Sequence, residues 1–161
     1  MFSQDWTFYV MGVSMEKNKK YGLQYVLSVL GQNGCYALCL AYIARKCGAS
    51  YNDIFEGFKT SIDHDAIYIN PKDKDDPNNC YVMNAEKVLF NMTKKTFSVR
   101  KITKINGKPD PKRFFIIKCY SLKTTGGTKT HFCIEDFDPY PGSNTKTNGQ
   151  LHSLRLVEKI E

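Results

Sequence analysis

The pattern of apolar and polar positions divides the chain into a helical first half and a stranded second half. Residues 35 to 48, "CYALCLAYIARKCG", are apolar on every side and close on Arg45, Lys46 and Gly48. Cations in a last turn followed by glycine mark a helix C-terminus, and the apolar surface predicts a buried central helix. In "SYNDIFEGFKTSI", Ser50 and Asp53 stand at capping-box spacing, and Ile54, Phe55 and Phe58 share one face of the helix that follows. "NAEKVLFNM" predicts a short helix with Asn84 as its N-cap. Beyond it the period changes to two. "TFSVRKIT" alternates, "FFIIKCYSL" reads as a continuous buried strand, "THFCIEDFDPY" as a hairpin, and "QLHSLRLVEKI" as a closing alternating strand. "TTGGTK" and "DPYPGSNTKTNG" supply turns, and "NPKDKDDPNN", residues 70 to 79, a polar surface loop. Ahead of these, "DWTFYVMGVS" (5 to 14) reads as a strand or a loose arm, and "MEKNKKYG" as a charged connector.

Helices first and strands second predict an α+β fold, with N-terminal helices packed on a C-terminal antiparallel sheet. The 161 residues predict a single domain over 1–161, without repeats or linkers. A hydrophobic fraction of 42% separates it from disordered chains. The first thirty residues lack the layout of a secretory signal, and no apolar run reaches the ~20 residues of a membrane span. The six cysteines are therefore expected as reduced thiols in a cytoplasmic protein, with later release by lysis left open. The net charge of +7 suits nucleic acid, a membrane surface or an anionic cell wall; it reads as scattered, and no specific nucleic-acid motif accompanies it.

The candidate chemistry centres on Cys35. At the first turn of a helix, unpaired amides and the positive end of the dipole stabilise a thiolate and a developing oxyanion. Cys39, one turn deeper, reads as core, and free cysteines in general are small buried hydrophobes. Of the three histidines, His64 reads as a solvated loop residue and His152 as a strand residue sharing a face with Leu154 and Leu156. His131 opens a strand just after the glycine turn. If "HFCIEDFDPY" folds back near Glu135 and Asp136, Asp138 comes opposite or diagonal to His131, close enough to orient its imidazole. Asp138 also has the simpler reading of a turn starter before Pro139. Paired short metal-ligand spacings and dinucleotide or phosphate-loop fingerprints are absent, so no metal and no cofactor is expected.

A cysteine opening a central helix, then a histidine on a strand, then an acid, resembles the order of papain-like cysteine peptidases. "QNGCYALCLAYIA" and "HFCIEDFDPYPGS" are similar to the branch that processes bacteriocin leaders, and to a small family on spirochaete plasmids and phages. The resemblance implies a papain-like fold and a peptidase or amidase with Cys35 as nucleophile, His131 as base and Asp138 as orienting acid. Gln32 would be the oxyanion donor, although it stands three residues before the cysteine rather than the family's five or six. A peptide, protein or peptidoglycan substrate follows from the same resemblance. The alternative is a catalytically degenerate papain-like domain serving as a binding or host-interaction module, with aromatics such as Tyr36, Tyr42, Tyr51, Tyr68, Tyr81 and Tyr140 on a basic surface, although sheet and core packing is the simpler reading of those tyrosines.

Overall fold

The apolar run at 35 becomes helix because nothing in it resists helical geometry, and it stops where the chain needs a conformation that favours glycine. In the computed structural model, which describes residues 34–69, 80–124, 127–139 and 149–160, α1 spans Cys35–Lys46 and is followed by Gly48 at φ +97. Ala37 to Ala44 are all buried, as expected of a central helix. The helix α2, Tyr51–Asp63, begins on the predicted capping box: the Ser50 hydroxyl accepts from Asp53 N–H, and the Asp53 carboxylate accepts from Ser50 N–H. The third helix, α3, spans Ala85–Thr93, and the Asn84 side chain accepts from Lys87 N–H at its start.

Six strands complete the described structure. A two-stranded antiparallel sheet pairs β1, Ile67–Ile69, with β2, Cys80–Val82, a hairpin that the apolar pattern does not announce. The larger sheet contains β3 (Phe97–Ile102), β4 (Phe115–Thr124), β5 (Gly127–Ile134) and β6 (Gln150–Lys159), in the order β3-β6-β4-β5 with every pair antiparallel. The α+β architecture read from the sequence, with the cysteine-bearing helix against a C-terminal antiparallel sheet, is the one observed. Phe97, Ile117, Ile134 and Val157 form the sheet's side of the core, and Leu38, Ile43, Phe58, Leu89 and Met92 the helical side.

Three local expectations change. His131 lies within β5 rather than at its start, because β4 and β5 stay paired out to Thr124 and Gly127. The strand read as continuously buried, β4, is central yet mixed: Ile117, Cys119 and Tyr120 are buried, while Lys118 is half-buried and paired with Glu135. On β6 the register shifts between Cys119, paired with Ser153, and Tyr120, paired with Leu151. His152 is thus the extra residue of a bulge and is exposed, not packed beside Leu154 and Leu156. His64 is exposed at the C-cap of α2, as read. The expected arm at 5 to 14, its connector, the loop at 70 to 79 and the turns at 125–126 and 140–148 lie outside the described residues.

Candidate functional site

Of the residues singled out by the sequence, Cys35, His131 and Asp138 lie near the β5 edge of the large sheet. Cys35 is the first residue of α1, half-buried, after Gly34, which offers no side-chain cap. Three more thiols lie around it. Burial holds the Cys39 thiol well above its ordinary range, helped by the nearby charges of Cys35, Cys133 and Asp138. Burial likewise pushes Cys80 up to about 12, with Cys35 adding to the rise. Cys39 and Cys80 therefore stay protonated at neutral pH and behave as core atoms.

His131 and Asp138 are brought together. The chain reverses at Glu135 and Asp136: Ile134 N–H donates to Phe137 C=O at 2.7 Å, and Phe137 N–H returns a bond to Ile134 C=O at 3.2 Å. This fold-back carries Asp138 beneath β5, where its Oδ1 lies 2.7 Å from His131 Nε2. The imidazole is buried and the carboxylate partly so. Helix α1 holds the turn from the other side. Tyr42 donates its hydroxyl to Asp136 Oδ2 at 2.9 Å, its ring stacks on Phe137, and Tyr36 stacks on Phe132 with centroids 4.4 Å apart. Of the proposed tyrosine surface, Tyr36 and Tyr42 are thus packing residues, whereas Tyr51, Tyr68 and Tyr81 are exposed. Gln32 and Tyr140 lie outside the described residues. Among the described residues, no group of three or more His, Cys, Asp or Glu side chains is placed to hold a metal ion. No helix there is long and apolar enough to cross a membrane.

A second surface lies at the opposite edge of the sheet, and reading charge over the whole chain hides it. Residues 86 to 113 hold nine of the 23 lysines and arginines but only two of the 16 acids. The rest of the chain is balanced at fourteen against fourteen, so this one segment supplies the entire net charge of +7. Summing charge by segment finds it, where the count over the whole chain does not. The segment runs through α3, the outer strand β3 and the loop to β4, and every cation in it except the half-buried Lys95 is exposed. Its two acids are engaged at home. Glu86 accepts from Val99 N–H and Asp110 from Lys112 N–H, both at 2.9 Å. Arg113 pairs with Glu158, and Lys95 Nζ donates to Cys47 C=O at the end of α1. Arg100, Lys101, Lys104 and Lys108 make no ion pair to a carboxylate among the described residues. A pocket of about 260 Å³ beside this rim is lined by Lys94 and Lys95 but also by Asp53 and Glu56, so it favours neither sign of charge.

No protein-family model matches the chain, and no solved structure does. The chain is similar to the small ribosomal subunit protein uS9m of Caenorhabditis elegans, 26% identical over 149 residues. That match covers 91% of this chain and 36% of the other protein's length, so the chain spans little more than a third of its relative. This similarity overturns the resemblance to papain-like and leader-processing peptidases, and the spirochaete and phage family with it. The peptidase resemblance rested on short motifs covering about a quarter of the chain, and such motifs arise readily in unrelated α+β domains. The thiol peptidase or amidase activity, the degenerate-peptidase alternative and the peptide, protein or peptidoglycan substrate fall together.

Proposed function

We propose that this chain is an RNA-binding component of a ribosomal small subunit or of a particle like it, with the α3–β3 rim as its RNA contact. The observation that carries the reading is the run of nine cations against two acids in residues 86 to 113, all but Lys95 exposed along α3, the edge strand β3 and the loop after it, with both acids occupied by backbone amides. RNA attracts such a face because lysine and arginine displace the counterions condensed on its phosphates. Contacts of this kind fix position and orientation and carry little sequence information. A packed helix and a sheet edge hold these side chains on a rigid base. The similarity to a small-subunit protein supports the same partner class. The expected partner, a peptide, protein or peptidoglycan substrate without a specific nucleic-acid motif, is replaced by RNA, and the signal is a charged segment rather than a motif.

The test is binding of the full chain to a ribosomal RNA fragment between about 50 and 200 mM salt. Wild type should bind with an affinity that falls steeply with salt. A triple variant, Arg100→Glu, Lys101→Glu and Lys104→Glu, should bind far more weakly with a flatter salt slope. Lys46→Glu with Lys59→Glu, on α1 and α2, should change binding little. Equal losses from the two sets, or no binding by wild type at low salt, would refute the proposal.

A further inference from the structure

We infer that the basic rim takes an unpaired stretch of RNA, seating one base on the ring of Phe90 while Lys87 and Lys94 hold the neighbouring phosphates. This rests on the RNA reading above and adds the strandedness of the ligand.

The nine-residue helix α3 buries Val88, Leu89, Asn91 and Met92, yet leaves Phe90 39% exposed on its outer face. Lys87 stands three residues before Phe90 on the helix, and Lys94 is its C-cap in the left-handed conformation, φ +59, so the two flank Phe90 from either end. Both ammonium groups lie over the aromatic ring, 5.0 and 5.8 Å from its centroid. That is cation–π range, and it keeps the apolar face covered in the free protein. A nucleobase offers a flat face that can replace an ammonium on the ring, and the displaced lysine then meets the phosphate that arrives with the base. Bases inside a duplex are already stacked and cannot present that face, whereas unpaired nucleotides can. Phosphate attraction alone explains the lysines but not the aromatic ring, 39% exposed, that both of them cover. Charge complementarity selects the occupant: the surrounding segment, residues 86 to 113, carries nine cations against two acids.

The experiment measures affinity of the full chain at fixed salt for four probes. They are a single-stranded RNA of about ten nucleotides, the same strand annealed to its complement, an abasic strand of equal length, and polyglutamate. Wild type should prefer the single strand. Phe90→Ala should weaken single-strand binding roughly tenfold, leave duplex and abasic binding unchanged, and keep the salt slope. Phe90→Trp should restore or exceed wild-type affinity. Lys87→Gln with Lys94→Gln should weaken binding to all three nucleic-acid probes. If Phe90→Ala binds the single strand as wild type does, or if wild type binds the abasic strand equally well, the base-seating inference fails while the RNA reading stands. Tighter binding of polyglutamate than of any RNA would assign the rim to an acidic protein. Failure of wild type to bind any RNA removes both proposals at once.

Discussion

The backbone N–H of Val99 donates to the Glu86 carboxylate at 2.9 Å, and this bond ties the first turn of α3 to the outer edge of β3. An edge strand presents unpaired amides that invite another chain, and a carboxylate on one of them blunts that edge. It also makes the helix and strand parts of the rim one surface, at the cost of a negative charge inside it. Glu86→Ala should lower the melting temperature by about 2–4 °C, the shift expected for the loss of one ordinary hydrogen bond. Glu86→Gln keeps an acceptor and removes the charge. It should melt near wild type and bind RNA more tightly. Equal melting of the two variants would show that the bond contributes nothing.

Gly57 is where α2 meets α3 most closely. A Cβ added there would stand 2.5 Å from Met92 Cγ, 2.8 Å from its Cα and 2.9 Å from its amide nitrogen. Gly57→Ala should therefore destabilise the fold by about 1–3 kcal/mol, despite alanine's better helix propensity. Because two of the three contacts are backbone atoms, adding Met92→Ala should not rescue it. Urea midpoints of the single and double variants decide the matter; recovery in the double variant would mean that only the flexible side chain was in the way.

The alkaline limb of stability should be steep. Burial raises the thiols of Cys39, Cys47, Cys80 and Cys119, Cys80 to about 12 from 9.0. Burial, and then the bond to Asp136, raises Tyr42 to about 12 from 10.0. These groups are acids whose folded values exceed their unfolded ones. Their contribution is complete below the unfolded value and is lost as pH climbs from there through the folded value. Urea midpoints should hold level up to about pH 8.5 and then fall toward about pH 11. Cys80→Ala should flatten the fall; an unchanged slope would mean that this thiol does not carry it.

Local signals were the legible ones. The Ser50–Asp53 box and the Asn84 cap need only residues three apart, so one sequence suffices to see them. The reversal after Ile134 was legible for the same reason, and it placed Asp138 beside His131. The β1–β2 pair was not, since three residues per strand give no period and ten residues separate them. The bulge that expels His152 depends on its pairing with β4, which the alternation of β6 alone does not encode. The basic rim was present in the sequence but dilutes away when charge is counted over all 161 residues. The cysteine, histidine and acid pointed to a peptidase because their order along the chain constrains chemistry much less than it constrains attention.

The His131–Asp138 pair makes its own demand on stability. The imidazole is only 5% exposed, and its Nε2 has the Asp138 carboxylate at 2.7 Å. Asp138→Ala would strand a buried ring nitrogen and release the segment that α1 clamps through Tyr42 and Phe137. The cost should be about 1–3 kcal/mol, the usual desolvation penalty of an unmet buried polar group. Asp138→Asn retains a carbonyl oxygen at the same place, able to accept from the same ring N–H, and asparagine serves the turn before Pro139 nearly as well. It should fall by less than half as much. His131→Phe with Asp138→Leu removes donor and acceptor together, so the double variant should recover part of the loss seen in Asp138→Ala. Chemical denaturation of the three variants reads this directly. If Asp138→Ala proves as stable as wild type, the close contact is incidental to the fold, and the turn after β5 is held by α1 alone.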